Sequence, residues 1–352
     1  MCYVGLDVHK KLVVYCGKAA DGTVVEEGRI GATRRELKEW AERRPWPWTG
    51  GMEATMFTGW IYDVLKPYAA ELKVAHPQML RAIVASKRKN DRVDAARIAD
   101  AVRCNLLPEC YMAPQEIRDL RRVLRFRNFV VRLATAVKNK TSGLLMECGA
   151  EYDKARLHGK RYWEELLGGL GETPASVKDL LRLNRATLGL FERTQRRLLG
   201  TLRDHPRLSG RLMRLMTIRG VGDVVALTWA LEIGDPNRFG SIRKAISYCG
   251  LCSGESQSAD HAKRLPLSKQ RNAHLQWVLI EAAKLAVRWN PQLAAVHEKE
   301  LQRGNRNRAT LAVARKLVAY LLAVDKSGQA FQSREVGGQD AAKRSLVLGR
   351  GK

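Results

Sequence analysis

The pattern of apolar and polar positions divides this chain near residue 114. Before it, the period is mostly that of strands. Tyr3-Val4-Gly5-Leu6-Asp7-Val8 and Leu12-Val13-Val14-Tyr15-Cys16 are β-rich and flank a tight turn at His9-Lys10-Lys11. Asp21-Gly22 is a hairpin signal before Thr23-Val24-Val25, so residues 2–30 predict two or three short strands. Thr33 then caps a helix to about Arg43, with Glu36 in the capping-box position. Residues 48–53 read as a strand, and Trp60, Ile61, Val64 and Leu65 mark an amphipathic helix. Residues 71–75 form a further strand, ended by His76-Pro77, and a helical pattern runs from Asp91 to about Cys104. A three-strand meander followed by strands alternating with helices predicts a mixed-sheet α/β domain over about residues 1–105, with a ribonuclease-H-like strand order.

After Pro114 the pattern is helical. Residues 115–148 carry Ile117, Leu120, Leu124, Val131 and Ala134 on one stripe. Residues 149–175, with several Gly and a Pro, read as an irregular bridge. A second long helix, about 174–202, carries Val177, Leu180, Leu181, Leu188, Phe191 and Leu198. Together they predict an antiparallel, coiled-coil-like region over 106–206. Residues 207–328 read as a mostly helical domain, all-α beside the α/β start, and 329–352 as a disordered tail.

Charge adds a partner to this plan. There are 62 Lys+Arg against 36 Asp+Glu, a net charge of +26. A field of that size favours a polyanion, because neutralised phosphates release counterions. Acidic residues would serve solubility as easily, and no polybasic segment flanks an apolar span, so nucleic acid is expected rather than a membrane. The first residues lack the apolar core of a signal peptide. Seven Cys at irregular spacing argue against a disulfide framework and for a reducing cytosol.

The candidate chemistry begins with acids. Asp7 lies in an apolar strand, where a lone carboxylate is costly. Glu53 ends a later strand. Asp91 and Asp94 open a helix, and their spacing puts both on one face. Such acids can converge over one edge of a sheet, and converging carboxylates suit hard cations, Mg²⁺ (two ions) or Mn²⁺. Asp91 could instead be an N-cap. His9 reads as a turn residue rather than a ligand.

The first long helix has a basic face. Arg121, Arg122, Arg125, Arg127, Lys138 and Lys140 lie where acids are nearly absent, as phosphate contacts would require. In Ile218-Arg219-Gly220-Val221-Gly222 a Gly-x-Gly turn between helical patterns resembles a helix-hairpin-helix, in which backbone N–H groups approach a phosphate behind Arg219. An ordinary helix connection fits equally. The stretch from Cys249 to Ser258 reads as a turn-rich loop. Cys249 and Cys252 read as structural cysteines rather than zinc ligands.

Three blocks carry a family resemblance: Gly5-Leu6-Asp7-Val8-His9-Lys10, Met52-Glu53-Ala54-Thr55 and Lys89-Asn90-Asp91-Arg92-Val93-Asp94-Ala95. They resemble the DEDD domain of the IS110 family of insertion-sequence transposases, with its IS1111 branch. Leu120 to Arg127 resembles the family's middle region. Ile218-Arg219-Gly220-Val221-Gly222 and Phe239 through Gly250-Leu251 resemble its C-terminal transposase domain. The resemblance covers roughly residues 3–328. It implies a RuvC-like N-terminal fold whose Asp7, Glu53, Asp91 and Asp94 bind Mg²⁺, and a nucleophilic serine that corresponds to Ser258. It also implies donor and target DNA, a structured bridge RNA as guide, a homo-oligomer (dimer or tetramer) that shares its active sites, and a prokaryotic, nucleoid-associated setting. Met56 stands where many relatives have Gly, and the serine turn lacks the usual Pro and following Gly, so Ser256 remains a second candidate nucleophile. A RuvC-type nuclease that uses metal-bound water and a non-catalytic nucleic-acid-binding protein are the competing functions.

Overall fold

The computed structural model describes residues 1–84, 90–171, 173–258 and 261–332, without the side chains of 84, 256–258 and 261–264. Lys89 and nearly all of the expected tail lie outside the described residues. The chain divides into two compact units, Met1–Arg118 and Asp119–Lys352.

Unit 1 is built on a five-stranded sheet. Its strands are β1 (Cys2–Val8), β2 (Leu12–Lys18), β3 (Val24–Gly31), β4 (Trp48–Glu53) and β5 (Glu71–Ala75). They lie in the order β3-β2-β1-β4-β5. β1, β2 and β3 pair antiparallel, while β1, β4 and β5 pair parallel. The central strand β1 therefore has one neighbour of each kind.

The two faces of the sheet follow from the period of two along each strand. Val4, Leu6 and Val8 of β1 join Val13, Trp48, Met52, Leu72 and Val74 in one core. That core is closed by Leu37 and Ala41 of helix α1 (Arg34–Glu42) and by Ile61 and Leu65 of helix α2 (Thr58–Leu65). Thr33 caps α1, its hydroxyl accepting from the Glu36 amide and donating to the Glu36 carboxylate at 2.5 Å, while its own amide donates to the Gly31 carbonyl and not to Glu36 as in a full capping box.

The opposite face belongs to helix α4 (Asp91–Arg103). Tyr3, Gly5 and Asp7 of β1 alternate onto it, as do Gly51 and Glu53 of β4. A methyl group at Gly5 would collide with the carbonyl oxygen of Ala95 and the amide nitrogen of Ala99. Glycine thus lets the α4 backbone rest directly on β1. Ala95 also packs on Val14 and Cys16 of β2. Ion pairs hold both ends of the helix: Arg92 Nε donates to Glu27 of β3 at 2.7 Å, and Lys18 Nζ to Asp100 at 2.6 Å.

Helix α3 (Pro77–Val84) was not expected. Pro77 ends β5, but its fixed φ also suits a first helical turn. Its Leu80 packs on Ile98 and Val102 of α4.

In unit 2, helix α5 (Gln115–Glu147, entering from unit 1) and helix α7 (Ala175–Arg203) run side by side and antiparallel. Asn184 Nδ2 donates to Thr141 Oγ1 at 3.3 Å, and Leu181 packs with Leu144 and Leu145. The bridge expected to be irregular contains helix α6 (Lys160–Gly169), whose Trp163 enters the same cluster. Glycines near both ends conceal its period. The remaining helices are α8 (Pro206–Met216), α9 (Asp223–Ile233), α10 (Ile242–Tyr248), α11 (Ala273–Ala286), α12 (Pro291–Gln302) and α13 (Arg306–Ser327). Every residue of α9 from Ala226 to Ile233 is buried, which makes it the central helix of this unit.

The expected serine loop is instead a hairpin, β6 (Ser253–Ser258) paired antiparallel with β7 (His261–Leu267). Its first strand has no β-branched or aromatic residue, so pairing overrides propensity there.

Gly5→Val is expected to cost about 1–3 kcal/mol or more, as overpacking against an immovable backbone does. Urea unfolding of the full chain measures it, and unchanged stability would contradict the close approach.

Candidate metal centre

Strand register carries Asp7 and Glu53 to neighbouring carboxyl ends, but among the described residues the ligand atoms grouped within 4.8 Å of one another are those of Asp7, His9 and Asp91, without Glu53 or Asp94. The parallel pair β1/β4 matches Leu6 with Met52, so Asp7 and Glu53 follow side by side at the two carboxyl ends. Both alternate onto the α4 face. The site therefore sits over the ends of central strands, not over a lateral edge of the sheet.

α4 supplies the other acids. Asn90 is its N-cap, with its side chain accepting from the Arg92 amide at 3.0 Å. Asp91 is thus not the cap residue, and its carboxylate faces Asp7 and His9. Asp94 lies one turn along, near enough for its charge to act on Asp7. The positive end of the helix lies beneath both acids.

His9 joins them. Its Nε2 lies 3.0 Å from Asp7 Oδ2 and 3.5 Å from Asp91 Oδ2. Ligand atoms of Asp7, His9 and Asp91 all fall within 4.8 Å of one another. The residue is in the turn after β1, as expected, but its ring turns back over the strand end. The i, i+2 spacing from Asp7 was the only sequence signal for this.

Burial pushes the Asp7 carboxyl above its usual range. The charges of Asp91 and Asp94 push the same way, and the charge and hydrogen bond of His9 oppose them. In the metal-free protein an ionised Asp7 is therefore a cost: stability falls as pH rises through its folded pKa. Two neighbouring carboxylates, Asp7 and Asp91, and one imidazole fit a divalent cation, which would offset that cost.

The basic helix fares differently. Arg121 donates through Nε and Nη2 to the Leu231 carbonyl, at 2.9 and 2.7 Å. Arg125 grips the Glu232 carboxylate through two bonds of 2.8 and 2.9 Å. These two arginines, expected to hold phosphate, are engaged by partners within the protein, although the Arg125 side chain is still 47% exposed. Arg127 is half-buried, and burial lowers its pKa. Its Nη1 donates to Asn128. Arg122 is exposed and pairs with Asp119, while Lys138 is half-buried and Lys140 exposed.

Glu232, which no local sequence pattern marks, is the reason. Its side chain is fully buried in α9. Burial alone would raise its pKa, but the Arg125 bonds and charge, Asn272 and Arg121 hold it below the usual value. The same cluster completes the end of α9. Its last four carbonyls accept from Gly234 N, Arg121, Tyr248 Oη and Arg238 Nε in turn.

In the glycine turn, Gly220 has φ +93°, and a Cβ there would stand 2.8 Å from the Ala286 backbone. Gly222 is the N-cap of α9 and has open space where a side chain would be. Arg219 is exposed. Gly220 thus has a packing reason independent of phosphate. Ser258 closes β6 opposite His261, and its side chain, like that of Ser256, lies outside the described residues. Cys249 is buried, its thiol pushed up to about 12 by burial, which makes it an inert structural cysteine.

Comparison with known proteins bears on the same segments. Residues 4–149 match the IS110-type DEDD transposase model. Residues 212–298 match the model described as "Transposase IS116/IS110/IS902 family". The first match contains all four acids and the second the glycine turn and the β6–β7 hairpin. A chain carrying these two domains in this order is a transposase, an enzyme of DNA cleavage and strand transfer. It belongs to the IS110/IS116/IS902 family. The transposase for insertion sequence element IS1111A of Coxiella burnetii is 26% identical over 332 residues, 89% of this chain and 86% of that protein. The transposase for IS1328 of Yersinia enterocolitica is 23% identical over 337 residues, 93% and 98% of the two chains. Among the described residues, no helix is long and apolar enough to cross a membrane.

Two outcomes are expected. Asp7→Asn leaves metal-free stability unchanged or raised, and abolishes the rise in melting temperature that Mg²⁺ or Mn²⁺ gives the unsubstituted chain by mass action. Differential scanning calorimetry with and without metal checks both. Arg125→Ala costs about 2 kcal/mol at neutral pH, the worth of a hydrogen bond to a charged group. Because Glu232's folded pKa is lowered, its contribution is present above the unfolded carboxylate pKa and lost as pH falls through the folded one. The deficit of Arg125→Ala should therefore be full at neutral pH and narrow as pH falls through the carboxylate range, as urea unfolding across pH would measure.

Proposed function

We propose that this transposase cuts and rejoins DNA through a metal-assisted serine attack guided by a bridge RNA. The observation that carries the catalytic half is the convergence of Asp7 and Asp91, with Asp94 near enough for its charge to act on Asp7 and Glu53 on the strand paired with β1. Asp7, Glu53, Asp91 and Asp94 hold the divalent ions, Mg²⁺ or Mn²⁺, on a sheet whose strand order suits a RuvC-like domain. When bound, such ions polarise the scissile phosphate and stabilise the leaving oxygen.

Ser258 is the nucleophile in this reading. Its hydroxyl oxygen forms a bond to phosphorus as the phosphodiester bond to the leaving sugar oxygen breaks. The serine proton is released and the leaving oxygen takes one up, giving a phosphoserine that the incoming strand reverses. What supports Ser258 is the family match over 212–298 and its place in the β6–β7 hairpin. Ser256 on the same strand is the second candidate.

Residues 1–105 form the catalytic domain, 106–206 the helical region and 207–328 the serine-bearing domain. The net charge of +26 supports polyanionic partners. Arg122, Arg127, Lys138, Lys140 and Arg219 are the phosphate contacts that remain once Arg121 and Arg125 are assigned to partners within the protein. Base pairing by the RNA supplies sequence choice, and a homo-oligomer brings the acids of one copy to the serine of another.

The test is strand cleavage of a supercoiled donor in the presence of RNA co-purified with the protein. Asp7→Asn is expected to abolish cleavage and Ser258→Ala to abolish the covalent protein–DNA species. Cleavage that survives Ser258→Ala and Ser256→Ala but needs Asp7 would assign the attack to metal-bound water instead.

A further inference from the structure

We propose that His9 is a ligand of the divalent ion at this centre, and that its nitrogen donor turns an all-oxygen site toward first-row transition dications and away from Mg²⁺. The inference rests on the reading that Asp7 and Asp91 hold metal.

Three observations support it. The ligand atoms of Asp7, His9 and Asp91 lie within 4.8 Å of one another, close to the span that donors about 2.1 Å from one shared ion can have. They come from two segments distant in sequence: the end of β1 with the turn that follows it, and the first turn of α4. Helix register therefore does not account for their meeting. The turn that carries His9 is held by its own backbone, with the His9 amide donating to the Leu12 carbonyl at 2.9 Å. The ring is 44% exposed, so it is not a core histidine turned inward for packing. Its Nε2 instead points between two carboxylate oxygens.

The donor set has a chemical consequence. Mg²⁺ prefers oxygen ligands and keeps its waters, whereas imidazole suits transition ions. A site of two carboxylates and one imidazole should gain affinity for a transition dication that it does not gain for Mg²⁺. The opposite role is that of a protonated place-holder, an imidazolium that bridges Asp7 and Asp91 and must leave before a metal enters. The two roles predict opposite effects of removing the ring.

The experiment is electron paramagnetic resonance of Mn²⁺ on the full-length protein without nucleic acid, with Mg²⁺ as competitor. The unsubstituted protein should show spin-echo modulation from a coordinated ¹⁴N nucleus. His9→Ala and His9→Gln should lose that modulation and weaken Mn²⁺ binding by about tenfold or more, with Mg²⁺ affinity near the starting value. Absence of ¹⁴N modulation in the unsubstituted protein, or equal or tighter Mn²⁺ binding in His9→Ala, overturns the inference. Asp7→Asn separates the two levels. If it loses Mn²⁺ while His9→Ala retains it, only the histidine assignment fails. If Asp7→Asn binds Mn²⁺ as the unsubstituted protein does, the centre itself fails and the inference with it.

Discussion

The contact between α4 and β1 at Gly5 is the constraint on which the candidate centre depends. A glycine in the central strand allows the Ala95 carbonyl and the Ala99 amide to sit where a side chain would otherwise stand. Two residues along the strand, on the same face, is Asp7. One turn back along the helix from Ala95 is Asp91. The close approach of two backbones thus becomes a close approach of two carboxylates. Arg92 on Glu27 and Lys18 on Asp100 keep the helix from sliding or lifting. The protein accepts a partly buried, mutually repelling set of acids at this point. Such a cost is expected where a cation is meant to bind.

Unit 2 has an acid of the opposite kind. Glu232 is fully buried, yet it is paired and hydrogen-bonded by Arg125, Arg121 and Asn272. Its charge is satisfied by protein, so it organises packing: it ties α5 to the central helix α9 and helps close the end of that helix. Asp325 does the same for α8, α9 and α13, receiving two bonds from Arg211 and one from Trp229. The contrast separates function from structure. Buried acids with arginine partners hold the helical unit together, while Asp7 and Asp91 come together around His9 at the strand ends of the other unit.

Much of unit 1 was legible because its elements are short, strongly patterned and punctuated. β4 and β5 fall on the expected residues, and Thr33 caps α1 as expected, with its amide bonded to Gly31 and not to the Glu36 side chain. Asp7 was legible because a carboxylate in an apolar strand needs a reason, and Asp91, which the structure brings to it, because it opens a helix beside Asp94. What was not legible depended on partners distant in sequence. Basic residues on one face of α5 look alike whether they meet phosphate or Glu232, which lies more than a hundred positions away. The polar strand β6 takes its conformation from β7 rather than from its own composition. His9 reads as a turn residue because its ring direction is set by the β1–β2 turn and by an α4 that arrives eighty residues later.

The measurement that tests this account most directly is anomalous diffraction from crystals of the protein soaked in Mn²⁺. The account predicts a peak within coordinating distance, about 2.2 Å, of carboxylate oxygens of Asp7 and Asp91 at the ends of β1 and α4. Ordered Mn²⁺ bound elsewhere, with these carboxylates unliganded, would contradict it.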